Sequence, residues 1–234
     1  MTLDELRERV FEANQKIVEA GLVVLTFGNV SAVDRAAGVM AIKPSGVPYA
    51  ELGADSMVVV DLESGEVRAG SARPSSDTPT HLVLYRAFGE IGGIVHTHSP
   101  FATAWAQARR EIPCFGTTHA DHFRGPVPVT RELTREEIGG DYERSTGDVI
   151  VETVTGLGLG AIERPAVLVA SHGPFAWGPD AGTAVENAIA LEVVAESAVR
   201  TEALQPGAAP IQAELLDRHF LRKHGPGAYY GQLP

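Results

Sequence analysis

The sequence predicts an α/β fold of three layers, in which helices flank a central, mainly antiparallel sheet. Segments with apolar residues three and four positions apart alternate along the chain with short, β-branched runs. A hairpin pattern around Ser64 and Gly65 joins two of those runs, which favours antiparallel pairing. The chain has 234 residues, 44% of them apolar, enough for one sizeable core, and no long polar linker divides it. We therefore expect residues 1–234 to form a single domain.

Five segments carry a helical pattern. They are residues 3–20, 78–88, 100–109, 180–203 and 211–222. The first of them shows the clearest spacing, with apolar side chains recurring from Leu3 to Ala20 before Gly21, a residue that commonly ends helices. The next two begin beside prolines, which are tolerated in the first helical turn.

Strands are predicted where short apolar runs contain β-branched residues. They are residues 22–27, 39–42, 57–62, 66–69, 91–98 and 166–170. After the first of these runs, Gly28 and Asn29 are expected to turn the chain. Residues 149–154 are ambiguous by pattern, because their β-branched side chains favour a strand.

Composition and charge exclude several classes of protein. The formal net charge is −11, which argues against nonspecific binding to nucleic acid or to acidic membranes. No apolar run reaches the length that spans a bilayer. Cys114 is the single cysteine, so a disulfide framework within the chain and a cysteine-rich zinc site are both impossible. We expect a protein of the reducing cytoplasm, in which histidine and carboxylate side chains would hold any metal ion.

A histidine pair in a predicted strand suggests a metal site. The side chains of His96 and His98 project from the same face, about 6.5–7 Å apart along the strand. That spacing suits two imidazoles on one divalent cation, which His172 could join from the end of another strand. Asp77, just before a helix, could add an oxygen ligand. The alternatives are ordinary buried histidines and a helix-capping aspartate.

Three loops have the residues of phosphate-binding turns. Their glycines, hydroxyls and amides are Gly28 and Asn29, then Ser45 and Gly46, then Ser75 and Ser76. Such loops can offer backbone N–H groups to an anion, and Lys43 adds a positive charge near the second loop. The residues alone do not show that the three loops meet. Ordinary turn chemistry would explain each loop taken singly.

Two further segments carry groups suited to proton transfer. Residues 116–122 include His119, Asp121 and His122, and the chain ends shortly after Tyr229 and Tyr230. A carboxylate or a phenol can act as an acid or a base when its surroundings tune its pKa. Packing of the tail, or a role in an oligomer interface, would explain the tyrosine pair equally well.

Long colinear motifs resemble one known family. They are LTFGNVSAVD, IKPSGV, RPSSDTPTH, IGGIVHTHS, GTTHAD, SHGPFAWG and LRKHG followed by AYYGQ. With them the chain resembles the class II aldolase/epimerase family of sugar-phosphate enzymes, and within it the L-ribulose-5-phosphate 4-epimerases. The terminal Tyr-Tyr-Gly-Gln is not expected in the aldolases of that family.

The resemblance implies a role for each matching residue. His96, His98 and His172 match metal ligands, and Asp77 matches an acidic position at the same metal. Asp121 and Tyr230 match a proton-transfer pair that acts across a subunit boundary, with His219 as a possible polar neighbour. The residues that match the phosphate-binding loops are Gly28, Asn29, Lys43, Ser45, Gly46, Ser75 and Ser76.

The resemblance also implies a cofactor, an assembly and a reaction. We expect one divalent cation per subunit, with zinc favoured over manganese or cobalt, and a cyclic homotetramer with its sites between subunits. It implies a class II aldolase-like fold, with a helix at residues 146–157. The expected reaction interconverts L-ribulose 5-phosphate and D-xylulose 5-phosphate by C3–C4 cleavage, rotation of the aldehyde and re-addition. The alternatives are a sugar-phosphate aldolase, a metal-dependent dehydratase and a non-catalytic metal-binding module.

Overall fold

The computed structural model describes residues 1–158 and 160–230, which form helices on both sides of one sheet. The strands are β1 (Asn29–Asp34), β2 (Val39–Ile42), β3 (Val58–Asp61), β4 (Val67–Ala69), β5 (Gly93–His96), β6 (Ala166–Leu168) and β7 (Pro174–Gly178). The helices are α1 (Leu3–Glu19), α2 (Thr78–Ala87), α3 (Pro100–Ala108), α4 (Thr117–Ala120), α5 (Arg135–Gly139), α6 (Tyr142–Gly156), α7 (Ala181–Leu204) and α8 (Ala213–His224).

The sheet of the described residues has the strand order β4-β3-β2-β1-β5-β7-β6. Every pair of neighbouring strands in it is antiparallel. The register places Asn29 of β1 opposite His96 of β5, and His96 opposite Phe175 of β7. One end of the three central strands therefore gathers residues that are far apart in the sequence.

Each face of the sheet is covered by its own set of helices. Val30 and Ala32 of β1 point into the core built with α1, α3 and α7. On the opposite face, Ile94 and Trp177 pack against α2 and α6 in a second cluster. Strand side chains alternate between faces, so apolar residues on both faces bury the sheet between two helical layers. The predicted three-layer αβα arrangement with a mainly antiparallel sheet is confirmed.

The predicted helices are present, with ends that differ by a few residues. A capping box begins α1 near the predicted residue. The Thr2 side chain accepts a hydrogen bond from the Glu5 N–H, and the Glu5 side chain accepts one from the Thr2 N–H. The helix expected at residues 146–157 is present as α6, where Val149 and Ile150 are fully buried. Burial against α2 therefore outweighs the strand propensity of its β-branched residues. No helix of the described residues combines the length and hydropathy needed to cross a bilayer.

The strand predicted at residues 22–27 is wrong. Leu22 packs into the core, but Leu25 is 75% exposed and has a φ of 57°, which is incompatible with an extended strand. The backbone N–H of Phe27 donates to the carbonyl of Val24 in a turn. The apolar run is a loop that leads into β1, so Asn29 begins a strand instead of turning the chain.

Two central strands carry no strong sequence signal. β1 contains Asn29, Ser31 and Asp34, and β7 begins with Pro174 and ends with Gly178. Polar residues, proline and glycine are depleted in strands, so the sequence alone does not predict a strand in either segment. Both are paired on both sides in the structure, and their neighbours supply the stabilisation that their own propensity lacks.

Candidate active site

Three histidines meet at the end of the central strands. His96 closes β5, His98 follows it by two residues, and His172 lies in the turn between β6 and β7. Their ring-nitrogen ligand atoms lie within 4.8 Å of one another. The pairing of β5 with β7 brings His172 to the pair that the sequence placed on one face. This group has the donor set and spacing of a metal centre.

Hydrogen bonding fixes which nitrogen of His96 faces the other two histidines. Its Nδ1–H donates to the carbonyl oxygen of Pro174 at 2.9 Å, and its ring stacks on Phe175 at 4.2 Å between centroids. Nε2 is therefore the nitrogen that faces His98, whose Nε2 lies 3.1 Å away. Two nitrogens on one tetrahedral zinc are about 3.3 Å apart. The residues present therefore fit a bound divalent cation.

Loss of solvation keeps two of these imidazoles in the form that binds a metal. It lowers the pKa of His172 to about 4, with help from the neighbouring imidazoles of His96 and His98. It also lowers the pKa of His98. At neutral pH the rings of His98 and His172 are therefore neutral, and a cation does not have to displace a second proton from either of them.

Asp77 faces the same site but does not act as a helix cap. It precedes α2, yet its side chain makes no capping hydrogen bond. Its Oδ2 instead accepts a hydrogen bond of 2.7 Å from Asn29 Nδ2. Burial acts to raise the pKa of Asp77, but nearby imidazoles, that of His96 first, and the Asn29 bond outweigh burial and lower it. The carboxylate is ionised beside the histidines, although it lies outside their close group of three.

The phosphate-type loops converge on this centre through backbone hydrogen bonds. The Ser45 N–H donates to the carbonyl of Arg73, and the Ser75 N–H donates to the carbonyl of Lys43. These bonds set the second and third loops side by side. Asn29 Nδ2 then donates to Ser75 Oγ at 3.2 Å, which ties in the first loop. Contacts between segments more than 25 residues apart therefore bring the three loops together.

One cavity of about 370 Å³ contains both the histidines and the loops. Every residue predicted for the metal or the phosphate lines it, namely Gly28, Asn29, Lys43, Ser45, Gly46, Ser75, Ser76, Asp77, His96, His98 and His172. The same cavity therefore contains the histidine group, the Asp77 carboxylate and the polar residues of the three loops. It is large enough for a small phosphorylated sugar.

Lys43 is a buried cation without an ionic partner among the described residues. Its side chain is 2% exposed, and its Nζ contacts only the carbonyl oxygens of Thr26 and Pro44. The Tyr49 ring centroid lies 4.8 Å from Nζ. Burial lowers the pKa of Lys43, because the charged form has lost water. An anion in the cavity would supply the missing counter-charge.

Gly28 is required by a close approach of two backbones. Its φ is +79°, and a Cβ there would lie 2.8 Å from the carbonyl oxygen of His96. The Tyr49 hydroxyl donates to the carbonyls of Phe27 and Gly28 at 3.1 and 2.9 Å. Tyr49 therefore fixes the backbone of the first loop at the point where Gly28 approaches β5.

The predicted proton-transfer residues lie elsewhere in the chain. Neither Asp121 nor Tyr230 lines the cavity, and nor does His219. They form a second group, in which His219 Nδ1 lies 3.1 Å from Asp121 Oδ1. Tyr230 is 57% exposed on the molecular surface. One chain by itself therefore does not bring these side chains to the metal centre.

Tyr142 and Glu143 also line the cavity, although no sequence motif predicts them. They begin α6, and the Tyr142 hydroxyl lies 3.4 Å from Nδ1 of His172. The helix expected here begins at residue 146, so the turn that carries Tyr142 and Glu143 lies outside it. The packing of α6 on α2, the helix after Asp77, brings both residues to the cavity.

Comparison with known proteins agrees with this geometry. The sequence model described as "Class II Aldolase and Adducin N-terminal domain" matches residues 8–199. A curated relative, L-ribulose-5-phosphate 4-epimerase UlaF of Salmonella paratyphi A, is 52% identical over 98% of this chain and 100% of the relative.

Solved structures share the fold over most of its length. An L-fuculose 1-phosphate aldolase is 26% identical, with a TM-score of 0.76 over 92% of this chain and 94% of its own. A second one, from Glaciozyma antarctica, is 17% identical and shows the fold alone, with a TM-score of 0.74 over 93% and 80% of the two chains. The chain therefore belongs to the class II aldolase family that these matches define.

Proposed function

We propose that this chain is a metal-dependent 4-epimerase that interconverts L-ribulose 5-phosphate and D-xylulose 5-phosphate. The observation that carries the proposal is that one cavity combines the three clustered histidines with three converging loops and with Lys43, which is buried and has no ionic partner among the described residues. The name of the 52% identical relative supports the same substrate.

The substrate dictates the kind of chemistry that inversion requires. C4 of a pentulose phosphate is β to the C2 carbonyl, so its C–H proton is not acidic. The C3–C4 bond can break, because the electron pair left on C3 is delocalised into the C2 carbonyl. The products are a dihydroxyacetone enediolate and glycolaldehyde phosphate. Rotation of the aldehyde and attack on its other face then returns C4 inverted.

His96, His98 and His172 would hold a divalent cation, with Asp77 beside them. Such a cation supplies Lewis-acid stabilisation of the negative charge that develops on the substrate oxygens during cleavage. Zinc suits three imidazole donors best, and manganese or cobalt are the alternatives. Asn29 holds Asp77 in place through its 2.7 Å hydrogen bond.

The loops and Lys43 would bind the phosphate and so retain the aldehyde fragment. Ser45, Gly46, Ser75 and Ser76 line the wall beside Lys43. A fragment anchored by its phosphate can rotate at the carbonyl without leaving the cavity. Retention of the aldehyde is what separates an epimerase from an aldolase on this scaffold.

Asp121 and Tyr230 would exchange acid and base roles at the C4 oxygen, one for each epimer. Neither lines the cavity of its own chain, so we propose that a second copy contributes them to the site, with His219 as a polar neighbour of Asp121. The exposed Tyr229 and Tyr230 suit burial between subunits. The assembly that we propose is a homotetramer, and the compartment is the cytoplasm, where the lone Cys114 remains a free thiol.

The deciding experiment is a product assay on purified, zinc-loaded protein with L-ribulose 5-phosphate. We expect D-xylulose 5-phosphate, measured with coupling enzymes, and no glycolaldehyde phosphate in a parallel aldehyde trap. Removal of the metal with a chelator should abolish turnover, and zinc, manganese or cobalt should restore it in that order. His98→Asn should remain folded and lose the metal response.

Each other outcome points to a different enzyme. Aldehyde release with little epimer would identify an aldolase that cleaves the same bond. Loss of water from the substrate would identify a dehydratase. Metal-loaded protein inert to all ketose phosphates would contradict catalysis altogether.

A further inference from the structure

An arginine that the sequence did not single out joins the two proton-transfer residues. Arg222 lies in the last turn of α8, and its Nε and Nη2 donate to the two carboxylate oxygens of Asp121 at 3.1 and 2.8 Å. This forked contact fixes the plane of the carboxylate, which a single donor would not do. It also connects α8 to the residue that follows α4.

The same side chain contacts Tyr230. The Arg222 guanidinium carbon lies 4.4 Å from the centroid of the Tyr230 ring. The backbone carbonyl of Arg222 accepts hydrogen bonds of 2.9 and 3.1 Å from the N–H groups of Tyr229 and Tyr230. Side chain and backbone of one residue therefore anchor the tail at the end of α8.

We propose that Arg222 is a positioning residue that holds the Asp121 carboxylate and the Tyr230 ring as one proton-transfer unit. This inference rests on the proposed function, in which these two groups serve opposite epimers. The two residues are 109 positions apart. Arg222 is the described residue that contacts both side chains, so their relative placement depends on it.

The other charged and titratable groups around Asp121 do not duplicate this role. His219 contacts one carboxylate oxygen, and His224 Nε2 lies 2.8 Å from the Asp121 carbonyl oxygen. Lys223 faces His122 at 3.3 Å and not the carboxylate. Lysine at position 222 would keep the charge but would lack both the fork and the planar face that covers the tyrosine.

The test compares Arg222→Ala and Arg222→Lys with the parent, in the metal-loaded protein. For Arg222→Ala we expect kcat for epimerisation to fall about 100-fold, with KM and metal content within about threefold, because acid–base geometry is lost and binding is not. Arg222→Lys should lose about tenfold. Added methylguanidinium should restore Arg222→Ala at least about tenfold, which no merely structural role predicts.

Arg218→Ala on the same helix is the matched control, because its side chain is exposed and forms no ion pair with the described residues. It should keep kcat within about twofold. Two outcomes with an active parent would overturn this inference and leave the proposed function standing. In the first, Arg222→Ala keeps the kcat of the parent. In the second, Arg222→Ala loses kcat and methylguanidinium does not restore it. If Arg222→Ala does not fold, an Arg222→Lys protein with full kcat overturns it equally. A parent without epimerase activity overturns the proposed function and this inference with it.

Discussion

Asn29 Nδ2 donates a 2.7 Å hydrogen bond to Asp77 Oδ2 and a 3.2 Å hydrogen bond to Ser75 Oγ. One amide therefore joins the phosphate-type loops to the carboxylate beside the histidines. The sequence placed Asn29 with the phosphate loops only. In the sheet, Asn29 lies opposite His96, which explains why it also contacts the carboxylate beside the histidines.

Asn29→Ala should therefore affect the metal end of the cavity as well as the phosphate end. Loss of the donor leaves the half-buried Asp77 carboxylate without this hydrogen bond, which costs about 1–3 kcal/mol and lets the carboxylate move. We expect kcat to fall about 10- to 100-fold and metal affinity to weaken, measured by kinetics and by competition with a chelating dye.

Ser76→Ala is the comparison variant, because Ser76 lines the cavity but forms no hydrogen bond to Asp77. It should raise KM and leave metal affinity unchanged. An Asn29→Ala protein with the metal affinity of the parent would show that the Asn29–Asp77 bond does not support the metal site.

Lys43→Met should separate substrate binding from stability. The cation is buried without a counter-ion among the described residues, so its removal relieves a desolvation cost. The substrate-free variant should be at least as stable as the parent. Its KM should rise about 100-fold, because a charge-assisted contact to the phosphate is lost.

Thermal unfolding with and without inorganic phosphate measures the same effect without turnover. Phosphate should raise the Tm of the parent and leave that of Lys43→Met unchanged, because only the parent gains a bound anion. An equal rise in Tm with phosphate for both proteins would show that the anion does not bind at Lys43.

His119 should make the fold sensitive to acid. It is buried, and its Nε2–H donates to the carbonyl of Gly125 at 2.8 Å. Burial lowers its pKa from the ordinary 6.5 to about 4. The unfolded chain therefore binds the proton first, and stability is lost as the pH falls from about 6.5 towards about 4.

Between pH 7 and pH 5 this one group should remove about 2 kcal/mol from the free energy of unfolding. Urea unfolding at the two pH values, compared between the parent and His119→Gln, checks the number. The variant should be less sensitive to acid by that amount. Equal acid sensitivity of the two proteins would show that His119 does not carry this part of the loss.

Mixing two inactive variants should test whether a site draws on two chains. His98→Asn removes a metal ligand, and Tyr230→Phe removes the phenol of the tail, which does not line its own chain's cavity. Each variant alone should lack epimerase activity. When the two variants are co-refolded in equal amounts, the mixture should regain roughly a quarter of the parent activity. About that fraction of sites combines an intact His98 from one chain with an intact Tyr230 from the neighbouring chain.

Variants mixed without co-refolding serve as the control and should remain inactive if subunits do not exchange. A co-refolded mixture that stays inactive would contradict the shared site. Light scattering on the parent should give the mass of four chains, as expected for the homotetramer.

The sequence determined the elements whose signals are local. The helix of residues 3–20 followed from apolar spacing and its capping residues, and the His96/His98 pair followed from the period of a strand. The motifs indicate the family, and with it the metal and phosphate residues that line one cavity, although the proton-transfer residues Asp121 and Tyr230 do not line it. Each of these signals depends on residues that lie close together in the sequence.

Only the tertiary structure decided which distant groups meet. β1 and β7 exist because strands on both sides pair with them, whereas the apolar run before β1 is a loop that no partner strand extends. The second role of Asn29 and the bridge from Arg222 to Asp121 and Tyr230 are contacts across tens of residues. The stabilisation from these contacts depends on the fold that brings the partners together, so local sequence propensity does not predict them.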